Sequence, residues 1–393
     1  MAWRRFCRNP LALGSLIFIL ISALAAIFGY LITPDSTPFA NHQQLELAAH
    51  KPGHKAQLLL VTKNREPEKT SLFKKMVWGK PADRTTIAVQ NFWFEDAWLH
   101  YETYAGQSGY PGLENRVWLP EVLFAVEHGQ EPGEAINDSV SFLTLSGEKK
   151  TMALGAMQQQ AAQNHLVQRR FLLGTDRFGR DMLSQLIIGT RVSLSVGFIA
   201  VFISLVIGVS LGSLAGYFRG KLDDLIMWLI NVIWSIPTLL LVIAITFAIG
   251  KGFWQVFLAV GLTMWVDVAR VARGQVLSLR EKEFVEAGKA LGLGSYRIIT
   301  RHILPNIMGP VIVISTANFA SAILIEAGLS FLGIGVQPPM PSWGTMIREH
   351  YGYIILDKGY LAFFPGLMIM LMVLAFMITG NGLRDALDKT PQF

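Results

Sequence analysis

The chain carries EAGKALG at residues 286–292 and IITRHILPN at residues 298–306, between two long apolar stretches. Good helix formers at residues 281–291 precede Gly292, which predicts a short helix that ends at a glycine C-cap. A second short helix is expected to end near Pro305. The segment contains no catalytic cluster. We interpret it as a docking surface at the edge of a membrane, and an ordinary connecting loop is the alternative.

The composition predicts a membrane protein. Of the 393 residues, 52% are hydrophobic and 16% are charged, whereas a soluble domain carries about 25% charged residues. The net charge of +6 comes from basic residues beside apolar segments, which favours a lipid bilayer over nucleic acid as the partner. Cys7 is the single cysteine, so a disulfide within the chain and a cysteine-based zinc site are excluded, and no metal site is expected.

The first apolar segment, residues 11–33, carries no Asp, Glu, Lys or Arg and exceeds the roughly 20 residues needed to cross a bilayer. Arg4, Arg5 and Arg8 precede it, which predicts an uncleaved anchor with a cytoplasmic N-terminus. A signal peptide is the alternative, but its apolar core is shorter, about 7–15 residues. Further spans are expected at residues 192–218, 225–250, 254–272, 308–336 and 359–383.

Six spans predict an all-α polytopic protein of the inner (plasma) membrane, with six transmembrane helices and both termini in the cytoplasm. Pro237 interrupts the third span and is expected to kink it, which neighbouring helices tolerate. Basic residues of the expected cytoplasmic segments agree with the positive-inside rule. Five arginines at residues 169–191 disagree with it, but long translocated domains are partly exempt.

Residues 34–170 differ from the rest of the chain, because they mix charges, aromatics and turn residues. Strand-like runs lie at residues 56–62, 85–94 and 140–145, and a Gln- and Ala-rich helix is expected at residues 152–168. We expect a small α+β extracytoplasmic (periplasmic) insert between the first two membrane helices. Its histidines show no metal-ligand spacing and are expected at the surface: His42, His50, His54, His100, His128 and His165.

The predicted boundaries divide the chain into three parts. Residues 1–33 form the N-terminal tail and first span, residues 34–170 the insert, and residues 171–393 a five-helix core with a cytoplasmic loop at residues 273–308. The core begins with LGTDRFGRD at residues 173–181, where glycines and paired Asp and Arg predict a tight turn held by hydrogen bonds.

Few residues could carry chemistry. GYFRGK at residues 216–221 has the wrong spacing for a phosphate-binding loop, so the chain is not expected to hydrolyse ATP. Asp267 and Glu326 lie in apolar spans, where acidic side chains usually face the bundle interior or a water-filled path. We interpret them as gating or helix-pairing residues. An ion-coupled secondary carrier that uses both acids is the alternative, and a binding module built on residues 34–170 is a third hypothesis.

Residues 286–288, Gly292 and HILP at residues 302–305 resemble the EAA loop of permease subunits in ABC importers. Two departures are visible, because Gly288 occupies the position of the second Ala and His302 that of an Ile. Other segments resemble the peptide branch of this family, and these are LGTDRFGRD at 173–181, EAGLSFLG at 326–333, PSWG at 341–344 and LRD at 383–385.

Together these segments cover residues 171–388 and resemble the second (C-type) permease subunit of dipeptide, oligopeptide or nickel importers. The resemblance does not cover residues 34–170, and the role of that insert is open. Peptides are the expected cargo, while nickel, sugars and antimicrobial peptides are alternatives.

The resemblance implies that the loop docks into a cleft of a cytoplasmic ATP-binding subunit. Closure of two such subunits would then rock the spans between inward- and outward-open states. It also implies a second permease subunit and an extracytoplasmic substrate-binding protein. ATP and Mg would be bound by partner subunits, so no cofactor and no enzymatic activity are expected here. The implied ATPase-coupling residues are Glu286, Ala287, Gly288, Gly292, Leu304 and Pro305, and the gating or pathway residues are Asp267, Glu326 and Pro237.

Overall fold

The structure is a computed structural model that describes residues 2–66, 70–106, 110–127, 129–130, 132–133, 135–136, 138–250 and 252–387. His128 lies outside these ranges. The α-helices of the described residues are, in chain order, α1 Ala2–Phe6, α2 Pro10–Ile32, α3 Leu72–Trp78, α4 Leu119–Leu123, α5 Leu154–Asn164, α6 Met182–Phe218, α7 Gly220–Trp234, α8 Thr238–Ile249, α9 Phe253–Arg280, α10 Glu283–Ala290, α11 Ser295–Ile298, α12 Leu304–Phe331, α13 Trp343–His350 and α14 Tyr360–Leu387.

The strands are β1 His54–Thr62, β2 Arg84–Glu95, β3 Trp98–Thr103, β4 Glu114–Trp118, β5 Ser139–Leu143, β6 Lys149–Ala153 and β7 Leu166–Phe171. The chain forms two compact units. The membrane unit comprises Met1–Ala26, Gly189–Gly352 and Ala362–Phe393, and the insert unit comprises Ile27–Ile188 and Tyr353–Leu361.

Long apolar helices match five of the six predicted spans. They are α2, α6, α9, the helical segment Ser295–Phe331 and α14, and each is long and apolar enough to cross a bilayer. Within lipid a helix satisfies its own backbone hydrogen bonds, which is why uninterrupted apolar sequence predicts these elements well. α9 runs on to Arg280 and α12 starts at Leu304. The loop predicted at residues 273–308 is therefore shorter than expected.

The third predicted span is not one continuous helix. α7 and α8 meet at an angle of 94°, so the described residues contain five continuous apolar helices and one bent pair, which is the sixth span if the pair crosses as one unit. Pro237 lacks an N–H and restricts the residue before it, which ends α7 at Trp234. The predicted kink is thus a sharp break.

A row of glycines sets the approach of two helices in the membrane unit. Gly208, Gly212 and Gly216 lie four residues apart on α6. A Cβ added at Gly212 would come within 2.3 Å of the backbone oxygen of Ala269 on α9. Small residues at this spacing let membrane helices pack backbone against backbone.

The insert unit is built on an antiparallel sheet with strand order β4-β3-β2-β1-β7, beside a β5-β6 hairpin. The predicted runs at residues 56–62, 85–94 and 140–145 coincide with β1, β2 and β5. The core of the sheet contains Trp118 and Phe142, both about 1% exposed, whose rings pack edge to face.

Two histidine environments differ from the expected surface positions. His165 is 3% exposed, and its Nδ1 lies 2.6 Å from the backbone oxygen of Leu60. His50 and His54 stack with their ring centroids 3.9 Å apart. Partial burial, together with the neighbouring His54, lowers the pKa of His50 to about 4. His165 is therefore a buried residue of the sheet core, whereas His50 and His54 are half-buried.

The turn at residues 173–181 is held by hydrogen bonds, as its sequence predicts. The Arg180 Nε donates to Asp176 Oδ2 at 2.5 Å, and both side chains are buried. The backbone N–H of Ser184 donates to Asp181 Oδ2 at 2.9 Å, which caps the start of α6. Gly179 is required here, because its φ is +71° and a Cβ would overlap the backbone oxygen of Gln44.

Candidate functional site

The coupling segment, defined here as residues 283–305, begins with α10. Gly292 follows α10 with φ +74°, the left-handed conformation that favours glycine. The Leu293 N–H donates to the Gly288 oxygen at 3.0 Å, and the Gly292 N–H donates to the Lys289 oxygen at 2.9 Å. These two bonds form a Schellman cap. The predicted glycine C-cap is confirmed.

The coupling segment has a buried face and an exposed face. Val285, Ile298 and Ile303 are buried in a cluster with Tyr217 and Val276. This packing joins the segment to α6 and α9. The exposed face carries Glu286, Ala287, Leu291 and Tyr296, the last two of which are 80% and 81% exposed.

Large exposed apolar side chains beside charged ones are typical of a protein interaction site. The arrangement therefore favours a docking surface over an ordinary connecting loop.

Gly288 lies on the buried face of α10, not on the exposed one. A Cβ added there would lie 3.5 Å from Leu293 Cδ1, which is an ordinary van der Waals contact. The position therefore has room for the alanine that the family pattern carries. Gly288 therefore does not form part of the exposed surface of α10.

Pro305 does not end a helix, contrary to the sequence expectation. α11 continues through a π-helical turn, Ile299–Ile303, directly into α12, and Pro305 lies in the first turn of α12. A proline within a continuous helix removes one backbone N–H, and the π-helical turn directly before Pro305 is the local irregularity that accompanies this loss. The coupling segment and the following membrane helix form a helical rod over Ser295–Phe331, with Leu304 half-buried and Pro305 exposed.

Ion pairs fix the neighbouring ends of the membrane helices. Arg273 donates to both carboxylate oxygens of Asp223, at 2.6 and 2.7 Å, and so joins α9 to α7. Arg219, between α6 and α7, donates to Glu281 at 2.5 Å. The bidentate, partly buried pair is the stronger of the two, because the second is exposed to solvent.

A cavity of about 350 Å³ lies in the membrane unit. Its polar lining comes from Asp267 and Thr263 on α9, Asn318 and Ser321 on α12, and Thr238 on α8. Asn318 is 4% exposed, and its amide donates to the Met264 oxygen at 3.4 Å. The structure therefore brings Asp267 together with uncharged polar residues of α12 that the sequence reasoning missed. The sequence feature that indicates such a polar site is Asn318, an Asn inside an apolar span.

The break between α7 and α8 also faces this cavity. Ile236 and Thr238, on either side of Pro237, both line it, as does Trp234. The guanidinium of Arg270 lies 4.0 Å from the centre of a Trp234 ring. The proline break thus forms part of the cavity wall.

Glu326 occupies a different environment from Asp267. It is completely buried, its Oε1 accepts from Ser330 Oγ at 2.7 Å, and its Oε2 accepts from Ser193 Oγ at 3.5 Å. Ser342, the N-cap of α13, also bonds to the carboxylate. Glu326 therefore joins α12 to α6 and to α13. It is absent from the residues that line the cavity.

The chain matches two family models. The family described as binding-protein-dependent transport system inner membrane component matches residues 208–391. The N-terminal TM domain of oligopeptide transport permease C matches residues 1–52. The dipeptide transport system permease protein DppC of Alkalihalophilus pseudofirmus is 44% identical over 215 residues, which cover 55% of this chain and 70% of that protein. The chain belongs to the binding-protein-dependent transport permeases.

Other relatives of this permease differ in the cargo they are named for. The glutathione transport system permease protein GsiD of Pectobacterium atrosepticum is 40% identical over 55% of this chain and 71% of its own length. The oligopeptide transport system permease protein OppC of Bacillus subtilis is 39% identical over 55% of this chain and 70% of its own. A solved structure of the MetNI methionine ABC transporter is 20% identical, with a TM-score of 0.44, over 53% of this chain and 98% of that one.

The two family models match different parts of the permease and leave the residues between those parts unmatched. The coupling segment, the cavity and Glu326 all lie within the matched residues 208–391. Residues 53–207, which contain most of the insert unit, lie outside both family matches. The permease is thus an inner-membrane, multi-pass transport protein, and most of its α+β unit lies outside the residues that the two family models match.

Proposed function

We propose that this permease is the second (C-type) membrane subunit of an ATP-driven importer of peptides and forms half of the translocation pathway. The cargo proposal rests on relatives named for dipeptides, oligopeptides and glutathione. The same system would include a second permease subunit, two cytoplasmic ATP-binding subunits that hold ATP and Mg, and an extracytoplasmic binding protein. Both termini would lie in the cytoplasm, and the permease would have no catalytic activity of its own.

The proposal that an ATP-binding subunit docks onto this permease rests on the exposed face of the coupling segment. Glu286 and Ala287 are exposed on α10 beside Leu291, and Gly292 fixes the turn that follows. A cleft in each ATP-binding subunit would bury this face. The packing under Gly288 keeps the face rigid, so that movement of the ATPase displaces the segment as a whole.

A continuous helix provides the route from docking to transport. The rod Ser295–Phe331 begins in the coupling segment, contains Leu304 and Pro305, and reaches the cavity through Asn318 and Ser321. A push on the coupling segment would therefore move one wall of the cavity against α9. Rigid-body movement of packed helices is a common mechanism of such two-state changes.

The cavity is the proposed pathway. The Asp267 carboxylate would attract the ammonium group of a peptide, and the Asn318 amide would bond to its backbone. Pro237, at the break beside the cavity, would permit the α7–α8 pair to change its angle. Glu326 would contribute to gating by holding α12, α6 and α13 together.

An ion-coupled carrier that uses Asp267 and Glu326 is not favoured. Such a carrier would pass an ion between the two acids, but Glu326 is enclosed by serines and only Asp267 lines the cavity. The relatives are named as permease proteins of transport systems, and this chain belongs to the binding-protein-dependent transport permeases.

The decisive experiment is reconstitution of the permease in proteoliposomes with its partner subunits and a labelled dipeptide. We expect uptake that requires ATP and the binding protein and that is insensitive to collapse of the proton gradient. Uptake that follows the proton gradient without ATP would support the carrier instead.

A further inference from the structure

The helix α3, LFKKMVW at residues 72–78, has a surface that transport does not explain. None of its residues is buried. Leu72 is 78% exposed, Phe73 is 66% exposed and Trp78 is 62% exposed. Exposed clusters of this kind on a folded protein mark an interaction surface, whereas single exposed apolar residues do not.

The sequence of α3 is amphipathic. At 100° per residue, Leu72, Phe73, Met76 and Val77 fall on one side of the helix. Lys74 and Lys75 fall on the other side, together with Trp78. Apolar residues opposite a face of lysines and a tryptophan are typical of helices that lie in the headgroup region of a bilayer.

The backbone places the end of α3 beside the end of a membrane helix. The Lys80 N–H donates to the Ser36 oxygen at 2.8 Å, and Ser36 is four residues beyond Ile32, where α2 ends. A Cβ on Gly79 would lie 2.7 Å from the Ser36 oxygen and 3.1 Å from the Pro38 nitrogen. The loop that follows α2 and the C-terminus of α3 are therefore in direct backbone contact.

The same loop folds back onto the last turns of α2. The Phe39 N–H donates to the Tyr30 hydroxyl at 2.9 Å, and Tyr30 is 3% exposed. Because Pro38 precedes Phe39 and contacts Gly79, α3 lies within one side-chain length of the end of this span. The end of a span of this length coincides with the edge of the hydrocarbon core. The C-terminal end of α3, at Trp78, is therefore close to the end of α2, and α3 extends from there to Leu72.

We propose that α3 is a lipid-binding helix of the insert unit. Leu72 and Phe73 enter the acyl boundary, Trp78 lies at headgroup depth, and Lys74 and Lys75 contact anionic headgroups. The lipid surface is favoured over a protein partner because the end of α3 lies beside the end of α2, a helix long and apolar enough to cross a bilayer whose side chains are largely exposed. The proposal goes beyond the transport function and does not depend on it.

The test measures direct lipid contact in the full-length permease. Cys7, the single cysteine, is changed to Ser, and a bimane label is attached to Phe73→Cys in vesicles that contain brominated phospholipid. Leu20→Cys on α2, where Leu20 is 54% exposed, gives the signal of a lipid-facing position. Leu113→Cys precedes β4, at the opposite edge of the sheet from β7, and matches the exposure of α3 because Leu113 is 76% exposed.

We expect quenching at position 73 close to that at position 20 and several-fold greater than that at position 113. A second variant, Lys74→Glu with Lys75→Glu on the same labelled chain, should reduce the quenching in vesicles rich in anionic lipid. Quenching at position 73 no greater than at position 113 would overturn the proposal. So would a label at position 73 that is shielded from water without being quenched, because that result indicates a protein partner. Neither readout requires transport, so failure here is distinct from failure of the proposed function.

Discussion

The tripeptide Glu-Ala-Gly occurs in two helices of the permease, at residues 286–288 in the coupling segment and at residues 326–328 in α12. Glu286 is exposed to solvent, whereas Glu326 is fully buried and hydrogen-bonded to Ser330 and Ser193. Gly288 is buried under the surface of α10, whereas Gly328 has no atom within 4 Å of an added Cβ. The same three residues therefore differ in burial between the two helices: the Glu is exposed and the Gly is buried in α10, whereas in α12 the Glu is buried and the space around the Gly is open.

The buried and the exposed glutamate are expected to have different roles, one in stability and one in contact with a partner. Removal of the buried carboxylate takes away the acceptor of the Ser330 and Ser193 hydroxyls in a low-dielectric environment. Removal of the exposed carboxylate disturbs nothing within the chain and can affect only a partner. Stability and transport measured side by side should therefore distinguish the two glutamates.

The largest effect is expected for Glu326→Ala. Loss of the carboxylate should lower the stability of the membrane unit by about 3 kcal/mol, because it leaves buried polar groups unsatisfied. The measurement is thermal unfolding in detergent. Glu286→Ala is the matched control and should change stability by less than about 0.5 kcal/mol. Equal losses in the two variants would contradict the distinction.

A second substantial effect is expected where α13 packs on the buried tripeptide. Gly344→Ala places a Cβ 2.6 Å from the Ala327 oxygen, and that oxygen belongs to rigid backbone. The clash should cost about 1–3 kcal/mol, measured as a lower unfolding temperature. Gly352→Ala serves as the control, because no atom lies within 4 Å of its added Cβ. An unchanged melting curve for Gly344→Ala would show that α13 is not packed as described.

A smaller effect, on function instead of stability, is expected for Gly292→Asp. Asp tolerates a positive φ better than most residues, and the space around Gly292 is open, so the cap should survive. The added charge at the docking face should lower peptide uptake about tenfold, equivalent to about 1.4 kcal/mol of coupling free energy, while ATP hydrolysis continues.

The control for this variant is Gly220→Asp. Gly220 has φ +62° and likewise no atom within 4 Å of an added Cβ, but it is the first residue of α7 and lies outside the coupling segment. Uptake should stay near the wild-type rate in this control. If both variants lose uptake equally, the defect arises from the strained conformation, and the docking role of Gly292 is wrong.

The smallest effect is expected for Gly288→Ala, the family residue at this position. The added methyl group makes an ordinary contact with Leu293. Replacement of a helical glycine by alanine should raise stability by about 0.5–1 kcal/mol, with uptake unchanged. A large loss of uptake would show that Gly288 contacts the ATPase directly, and the two faces of α10 would then be assigned wrongly.

The sequence alone determined the features that depend on local chemistry. Uninterrupted apolar runs predict the spans because lipid offers the backbone no other hydrogen-bond partner. Gly292 predicts the end of α10 because the cap requires a positive φ, and alternating residues predict β1, β2 and β5.

Only the tertiary structure decided the features that depend on distant residues. It shows the break at Pro237 as a 94° bend, the continuation of the helix through Pro305, and the burial of His165. It also places Asp267 beside Asn318, and it distinguishes Glu286 from Glu326. Which side chains are buried, and which residues they contact, is set by helices and strands that are far apart in sequence. A local sequence pattern therefore cannot predict these features.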